Sequence, residues 1–573
     1  MRRLSAVLAL AAAASLLAGC GLVPWSLGAQ VPTSGPIQQA DISSANRQDQ
    51  FIRVIPQGPR PNMSQLQVVQ GFLDASAASD DDYEVAREFL TGAAAARWDP
   101  HSGVRVYRGA TDLTAQDSVV ELTAPLVGEI LSDGTYEVNQ TDRALSAKFT
   151  LVRDNLQWRI AALPQGLELS TYDVQRSFRS LSVYYFNPQH STLVPDARMI
   201  PVPGDGLATG LMTALLTGPS TWLAPAVVNS FPLGVRLNFN SVPVDNGVAR
   251  VDLTADAVFA SDAVRRQMAQ QIVWTLRQVP EVRSVIISAG GQVLAIPGVT
   301  SPIPRDAFPE IDPAGRAQGT NAIVANGTGV LQLTRLGSQL LVSSPKQANA
   351  ALIQVVTNRP LALLMGLDAQ GRIWSTPQEV NATWAQLPIT RDVQWIECDP
   401  TGGLWIWDPA NGLAVWDAPG PLKSIVVKGL PAGGRLLRAV PSRDGTRAAV
   451  IVQAGGQRQL YLARIEQQLS TGIRTIDGLR LIADQVDQVV DVDWSSANSL
   501  AFIGAQADGI VQAFDVTLSQ GALSPQGGPV GADAIAAAPG MPVLIAAQSG
   551  SVYQLDAGTW TSRIQARSPA YPN

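Results

Sequence analysis

Three hydrophobic patterns succeed one another along the chain. The first begins at Ser64, where Leu66, Val69, Phe72 and Leu73 recur at helical spacing and Ser64 stands three residues before Gln67, as in a capping box. A second apolar face, Tyr83, Ala86, Phe89 and Leu90, follows the acidic run Asp80-Asp81-Asp82. That run reads as a helix N-terminus, where carboxylates meet the positive end of the helix dipole, since no further ligands follow at calcium-loop spacing. From Val104 the period falls to two: Val104 and Val106, Val119 to Leu122, Tyr136 and Val138, Ala147 to Leu151, then Leu156 to Ile160, with residues 153 to 158 supplying a turn. Helices followed by antiparallel strands predict a small α+β domain over residues 63–168.

The second pattern mixes both periods over residues 180–297. A strand from Val183 to Phe186 stops at Asn187-Pro188, and a helix around Leu207 to Leu216 stops at Thr217-Gly218-Pro219. Val235, Leu237 and Phe239 alternate, and Asp245-Asn246-Gly247 turns the chain into Val248 to Leu253 as a hairpin. Val264, Met268, Ile272, Leu276 and Val279 then make one stripe of a helix from Asp262 to Val279. Strands Val285 to Ser288 and Val293 to Ile296 complete an α/β domain. Pro297, Pro302, Pro304, Pro309 and Pro313 make residues 298–317 read as a stiff linker.

Beyond it helical periodicity disappears. Runs beginning at Val393, Leu437, Val489 and Ala534 each give strand, polar turn, apolar strand, glycine turn and strand. Their first turns, near Asp399, Asp444, Ala497 and Gly540, recur every 43 to 53 residues or so, the period of a four-stranded propeller blade. Residues 318–565 therefore predict an all-β propeller of five or six blades. Trp374, Trp395, Trp405, Trp407, Trp416, Trp494 and Trp560 read as packing between blades; stacking on sugar rings is the rival reading.

The N-terminal residues change the picture most. Arg2 and Arg3 precede an apolar run too short to span a bilayer, ending in Leu17-Ala18-Gly19-Cys20, so residues 1–19 read as an export signal. Residues 20–62, rich in Pro, Gly, Ser and Gln, read as a tether. A formal net charge of −6 excludes a nucleic-acid-binding surface of the usual basic kind. The second of two cysteines is Cys398; with Cys20 at the tether, no disulfide is expected to staple the fold. The two histidines, His101 and His190, fall in polar loops away from any Ser, Cys or carboxylate cluster, and Asp252 reads as a structural residue of its strand. There is no P-loop, GxSxG or HExxH, so no catalytic residue, cofactor or metal ligand is assigned and no enzyme is expected.

Several of these stretches carry resemblances. Leu17 to Cys20 resembles the lipobox of bacterial lipoproteins, which implies an acylated Cys20 holding the chain in the bilayer on the extracytoplasmic face of the cell membrane. The first domain resembles the NTF2-like type. "VYYF", "LLTGPS", "FPLGVRL", "GVARVDLT" and "QIVWTLRQVPEVRSVIIS" occur in the order of GerMN domains, which implies a binding or assembly module. "REFLTGAAAARWDP" and "WRIAALPQGLEL", with the domain order, are similar to the LpqB family of actinobacterial lipoproteins. That resemblance implies an accessory protein contacting the extracytoplasmic sensor domain of the MtrB histidine kinase, so modulating the MtrA–MtrB two-component system in envelope homeostasis and cell division. The alternatives are a binder of cell-wall glycan (polysaccharide or peptidoglycan), or a propeller glycosidase with facing carboxylates at its mouth.

Overall fold

The computed structural model of the protein describes residues 56–78, 80–109, 112–139, 143–202, 206–315, 321–335, 337–345, 351–358, 362–379, 382–519 and 521–572. Arg53–Asn573 form one compact unit. Among the described residues no helix is long and apolar enough to cross a membrane.

The first helix, α1 (Gln65–Ser76), starts where the capping box places it: Ser64 accepts from the Gln67 amide, and the Gln67 side chain accepts from the Ser64 amide. The second expected helix is much shorter. Asp82 and Tyr83 adopt left-handed backbone, φ 54° and 61°, so the acidic run makes a 3₁₀ turn, and only α2 (Glu84–Arg87) and then α3 (Gly92–Arg97) are helical. Seven strands follow: β1 (Gly103–Tyr107), β2 (Asp112–Gln116), β3 (Val119–Leu131), β4 (Tyr136–Val138), β5 (Ala144–Asp154), β6 (Gln157–Ala162) and β7 (Leu167–Ser170). The sheet order is β6-β5-β3-β1-β7, with β2 and β4 on β3. Long β3 alternates, burying Val120, Leu122, Ala124 and Leu126, and the Phe72 ring fills the interior 5.2 Å from Trp98 and 5.9 Å from Phe149.

Helix α4 (Thr171–Ser177) runs without a break into β8 (Phe178–Phe186), which pairs with β9 (Leu193–Pro201). The middle domain continues with α5 (Leu207–Thr217), β10 (Val244–Asp245), β11 (Val248–Leu253), α6 (Asp262–Leu276) and β12 (Ser284–Ala289). β11 and β12 are parallel, joined through α6, as an α/β crossover requires. The expected strand through Leu237 is reduced to a single bridge to Leu253.

The segment expected as a stiff linker is part of this domain. Ile303 pairs with Val285, Phe308 and Ile311 join the buried core, the Trp274 indole donates to the Phe308 carbonyl at 3.1 Å, and Arg266 meets Glu310 at 2.9 Å. Its prolines interrupt regular structure without preventing the apolar side chains between them from being buried.

The strands from Ile323 onward make six blades among the described residues. The innermost strand of the first blade is Arg567–Ala570, which pairs with Ile323–Ala325, so the two ends of the propeller close the ring together. The domain thus runs past the boundary expected at 565. Indoles bolt neighbouring blades to one another: Trp384 donates to the Ser343 carbonyl at 2.7 Å, Trp395 to Leu437 at 2.6 Å, Trp494 to Val440 at 3.1 Å and Trp560 to Gln526 at 3.0 Å.

The middle domain docks on the fourth blade through Trp222, whose indole donates to the Gly478 carbonyl at 2.6 Å beneath the Arg480 guanidinium, 5.0 Å from the ring. Gly478 has φ 65°, and a Cβ there would stand 2.8 Å from the Trp222 nitrogen and against Arg464. Gly478→Ala is therefore expected to cost about 1–2 kcal/mol from the left-handed backbone alone, plus the loss of this docking. Calorimetry should show a lower first transition, with the propeller and the preceding domains melting apart; an unchanged single transition refutes the role of Gly478.

Candidate functional site

Six inner strands surround the propeller axis, and polar side chains link each to the next. The Val355 amide donates to Ser568 Oγ at 3.0 Å, joining the second blade to the first. Gln354 donates to the Ile396 carbonyl at 2.8 Å and accepts from the Ile396 amide at 3.0 Å. Arg438 lies between blades, 3.2 Å from Glu397 and 2.7 Å from Asp491. Asp491 accepts from the Ile535 amide at 2.9 Å, and Asp493 from the Ala537 amide at 2.8 Å. Tyr571 closes the belt by donating to the Pro542 carbonyl at 2.7 Å. Charges so placed hold only where paired and hydrogen-bonded.

This belt encloses a cavity of about 370 Å³ with walls from all six inner strands. It is a funnel. At the ends where the inner strands begin, Ile353 is 42% exposed and Gln394, Asp533 and Arg567 are exposed. At the far ends Arg443 and Tyr571 are each 8% exposed, Arg443 donates to the Pro572 carbonyl at 2.7 Å, and Gly315 lies against it. Burial pushes the Glu397 carboxyl up to about 7, opposed by Arg438, and the Asp493 carboxyl up to about 6, opposed by backbone N–H groups. Burial raises Asp533 in the same sense. A second cavity, of about 420 Å³, lies between β4 and the outer strand of the fourth blade, where Arg480 bridges to Glu137 at 2.9 Å.

Family models match three consecutive parts of this chain: the N-terminal domain of lipoprotein LpqB over residues 58–175, the sporulation and spore germination domain over 182–295, and the LpqB β-propeller domain over 322–572. The chain belongs to the LpqB lipoprotein family. Lipoprotein LpqB of Thermobifida fusca is 29% identical, the match covering 100% of this chain and 99% of the relative. Lipoprotein LpqB of Cutibacterium acnes is 27% identical over 89% of this chain and 88% of its own length. Among solved structures, TolB from Acinetobacter baumannii superposes with a TM-score of 0.35 at 11% identity, covering 44% of this chain and 66% of that one.

The residues singled out from the LpqB-type sequence fall apart in space. Cys20 lies outside the described residues. His101 is exposed, with its ring nitrogen 2.9 Å from Asp82, and His190 is exposed with its ring 5.6 Å from Phe186. Asp252 does have partners: it accepts from Asn238 at 2.7 Å and from the Gly291 amide at 2.9 Å, fastening two turns. Cys398 is 1% exposed on an inner strand. Among the described residues no group of three His, Cys, Asp or Glu could hold a metal ion. Sequence reading missed the axial charges. Their signal is present in "VVDVDW", where Asp491 and Asp493 interrupt an otherwise apolar strand on one face.

A folded-state pKa above the unfolded value means that the folded carboxyl holds its proton over a window where the unfolded one has lost it. For Glu397 and Asp493 the window runs from the ordinary carboxylate range to about 7 and about 6 respectively, and stability falls as pH rises through it. Each group contributes a slope of up to about 1.4 kcal/mol per pH unit. Urea unfolding at a series of pH values should show the propeller losing stability towards neutrality, with a shallower slope in Glu397→Gln; equal slopes in both proteins count against the assignment.

Proposed function

We propose that this protein is a non-catalytic accessory of a membrane sensor histidine kinase of the MtrA–MtrB type, held at the extracytoplasmic face of the cell membrane by an acylated Cys20. Its work is contact, in envelope homeostasis and cell division. The observation that carries this reading is the continuity of its three domains. α4 passes directly into β8, residues 303–311 are packed into the middle domain, and Trp222 is seated on the fourth blade. A body so joined presents fixed surfaces, and tethering it in the plane of a receptor raises effective concentration into the mM range or so where geometry allows. A contact of modest affinity then suffices, provided it differs between the signalling states of the kinase.

The glycan reading draws less support. Trp374, Trp395, Trp405, Trp407 and Trp494 are buried, and three of them direct their N–H groups to Leu437, Val440 and Asp399. A glycosidase needs carboxylates free to exchange protons with substrate. At the axis, Glu397 and Asp491 are engaged with Arg438, and Asp493 with backbone amides.

Two measurements test the proposal. Chain lacking residues 1–19, immobilised and titrated with the purified sensor domain, should bind saturably; linear, non-saturating uptake refutes kinase contact. In cells, Cys20→Ser should move the protein from the membrane to the soluble fraction, since acyl chains supply about 0.8 kcal/mol per buried CH₂. Retention of the variant in the membrane refutes the anchor.

A further inference from the structure

We propose that the loops at one end of the middle domain insert apolar side chains into the surface of the lipid bilayer, so that the folded body lies on the membrane as well as being tethered to it. The inference rests on the placement of this lipoprotein at the membrane and not on kinase contact.

β11 and β12 are parallel and in register to their last residues, Leu253 beside Ala289, so the segments that follow them leave at the same end of the sheet. A third segment joins them there. Leu237 bridges to Leu253, and the chain continues past it through residues 238–241. Bonds between the three hold them in one arrangement. The Asn238 side chain and the Gly291 amide both donate to the Asp252 carboxylate, at 2.7 and 2.9 Å. The Gly290 amide donates to the Leu253 carbonyl at 2.8 Å, and the Thr254 amide to the Arg236 carbonyl at 2.9 Å.

Five large apolar side chains on these loops stand outside the core: Leu233, Phe239, Val258, Phe259 and Val293, each more than half exposed, with Phe239 at 68% and Phe259 at 87%. The same segments do supply the core where they can reach it. Val235 and Leu237 are buried, whereas Phe239, two residues further on, is not; Ala257 is buried, whereas Val258 and Phe259 are not. The apolar surface left over is gathered at one end of one domain, which marks it as a contact surface.

The surroundings favour lipid as what covers it. In residues 231–241, 254–260 and 289–293 the charged side chains are Arg236 and Asp256, one of each sign. The whole chain has a formal net charge of −6, so an anionic leaflet offers it no attraction and apolar burial has to supply the binding. The loop tips also stand clear of the rest of the molecule. Gly234 and Gly291 have φ 89° and 81°, and a Cβ built at either meets nothing within 4 Å. Neither cavity described above is lined by these side chains. A rigid partner would need a separate recess for each protruding residue, whereas fluid acyl chains close around all of them. Phe and Leu are among the side chains that interfacial segments bury about 5–10 Å into the headgroup and acyl boundary. The chain belongs to a lipoprotein family, which brings this surface and a bilayer together.

Vesicle sedimentation tests the proposal with chain lacking residues 1–19, made without an acyl group, so that the anchor takes no part. The vesicles are phosphatidylethanolamine and phosphatidylglycerol at about 3:1. The protein should pellet with them, saturating as lipid is added and with little change between low and high salt, because burial and not charge drives it. Phe239→Ser with Phe259→Ser should raise the lipid concentration at half-binding at least about tenfold at an unchanged melting temperature, since both side chains are exposed. Val530→Ser, at an exposed apolar position of the propeller, should leave it unchanged. No vesicle binding by the parent chain overturns the proposal, as does equal binding by the double variant or equal weakening by Val530→Ser. If vesicles are not bound and the double variant instead loses saturable binding of the sensor domain, the patch is a protein interface and the proposal falls. Failure here leaves the Cys20 anchor standing, because fractionation of Cys20→Ser cells reads that separately.

Discussion

The structure depends first on closing a ring. A sheet of four strands has two faces to bury, and in a propeller each face is covered only by the next blade, so one missing neighbour exposes two apolar surfaces at once. The chain solves this by setting Arg567–Ala570 beside Ile323–Ala325, so that the first blade is made from both ends of the domain. The last residues reinforce the closure, Tyr571 by reaching the Pro542 carbonyl and Pro572 by receiving Arg443. Inter-blade indole bonds then fix the angle between neighbours. Each contributes about 1 kcal/mol net, and the bond to Val440 also pairs a carbonyl of a buried residue.

What the ring supports is a surface rigid enough to dock on. The fourth blade offers Gly478, which has no Cβ to stand in the way, and Trp222 fills the space. Around it, Asn498 reaches Ser182 at 2.8 Å and Asn187 reaches the Asp444 carbonyl at 3.3 Å. The first domain is attached to the second by an ion pair as well as by chain: buried Arg198 meets Asp196 at 2.6 Å and Asp133, across the domain boundary, at 3.3 Å. Arg198 is 1% exposed, so removing its carboxylate partners strands a buried charge, which resists domain motion more than the bond strength alone suggests.

Much of this was legible in the sequence because periodicity reports which face of an element is buried. The Ser64 capping box, the stripe of α6 and the blade period all reflect local rules, and the structure realises them. The failures share a cause. Tyr83, Ala86 and Phe89 have helical spacing, yet left-handed backbone at Asp82 and Tyr83 breaks the helix while leaving the side chains buried. Prolines made residues 298–317 look like a spacer, but Ile303, Phe308 and Ile311 are in the core because of partners far away in sequence. The closing strand and the axial belt were illegible for the same reason. Arg438 is a lone charge in "LLRAV" until Glu397 and Asp491 arrive from two other blades.

Those axial charges pose a question of stability against shape. A buried ion pair rarely outperforms well-packed hydrophobic residues, so the belt is not the most stabilising way to hold six blades together. Apolar side chains at the same positions would tend to collapse onto the axis and fill it, because nothing but volume directs them. Guanidinium and carboxylate groups instead bond sideways to the next strand, as Arg438, Asp491 and Asp493 do, and the bonds hold the strands at a set distance from the axis. The same choice that costs stability thus keeps the middle of the ring open. It also fixes the position of each charge on the wall, so the cavity has a pattern as well as a volume.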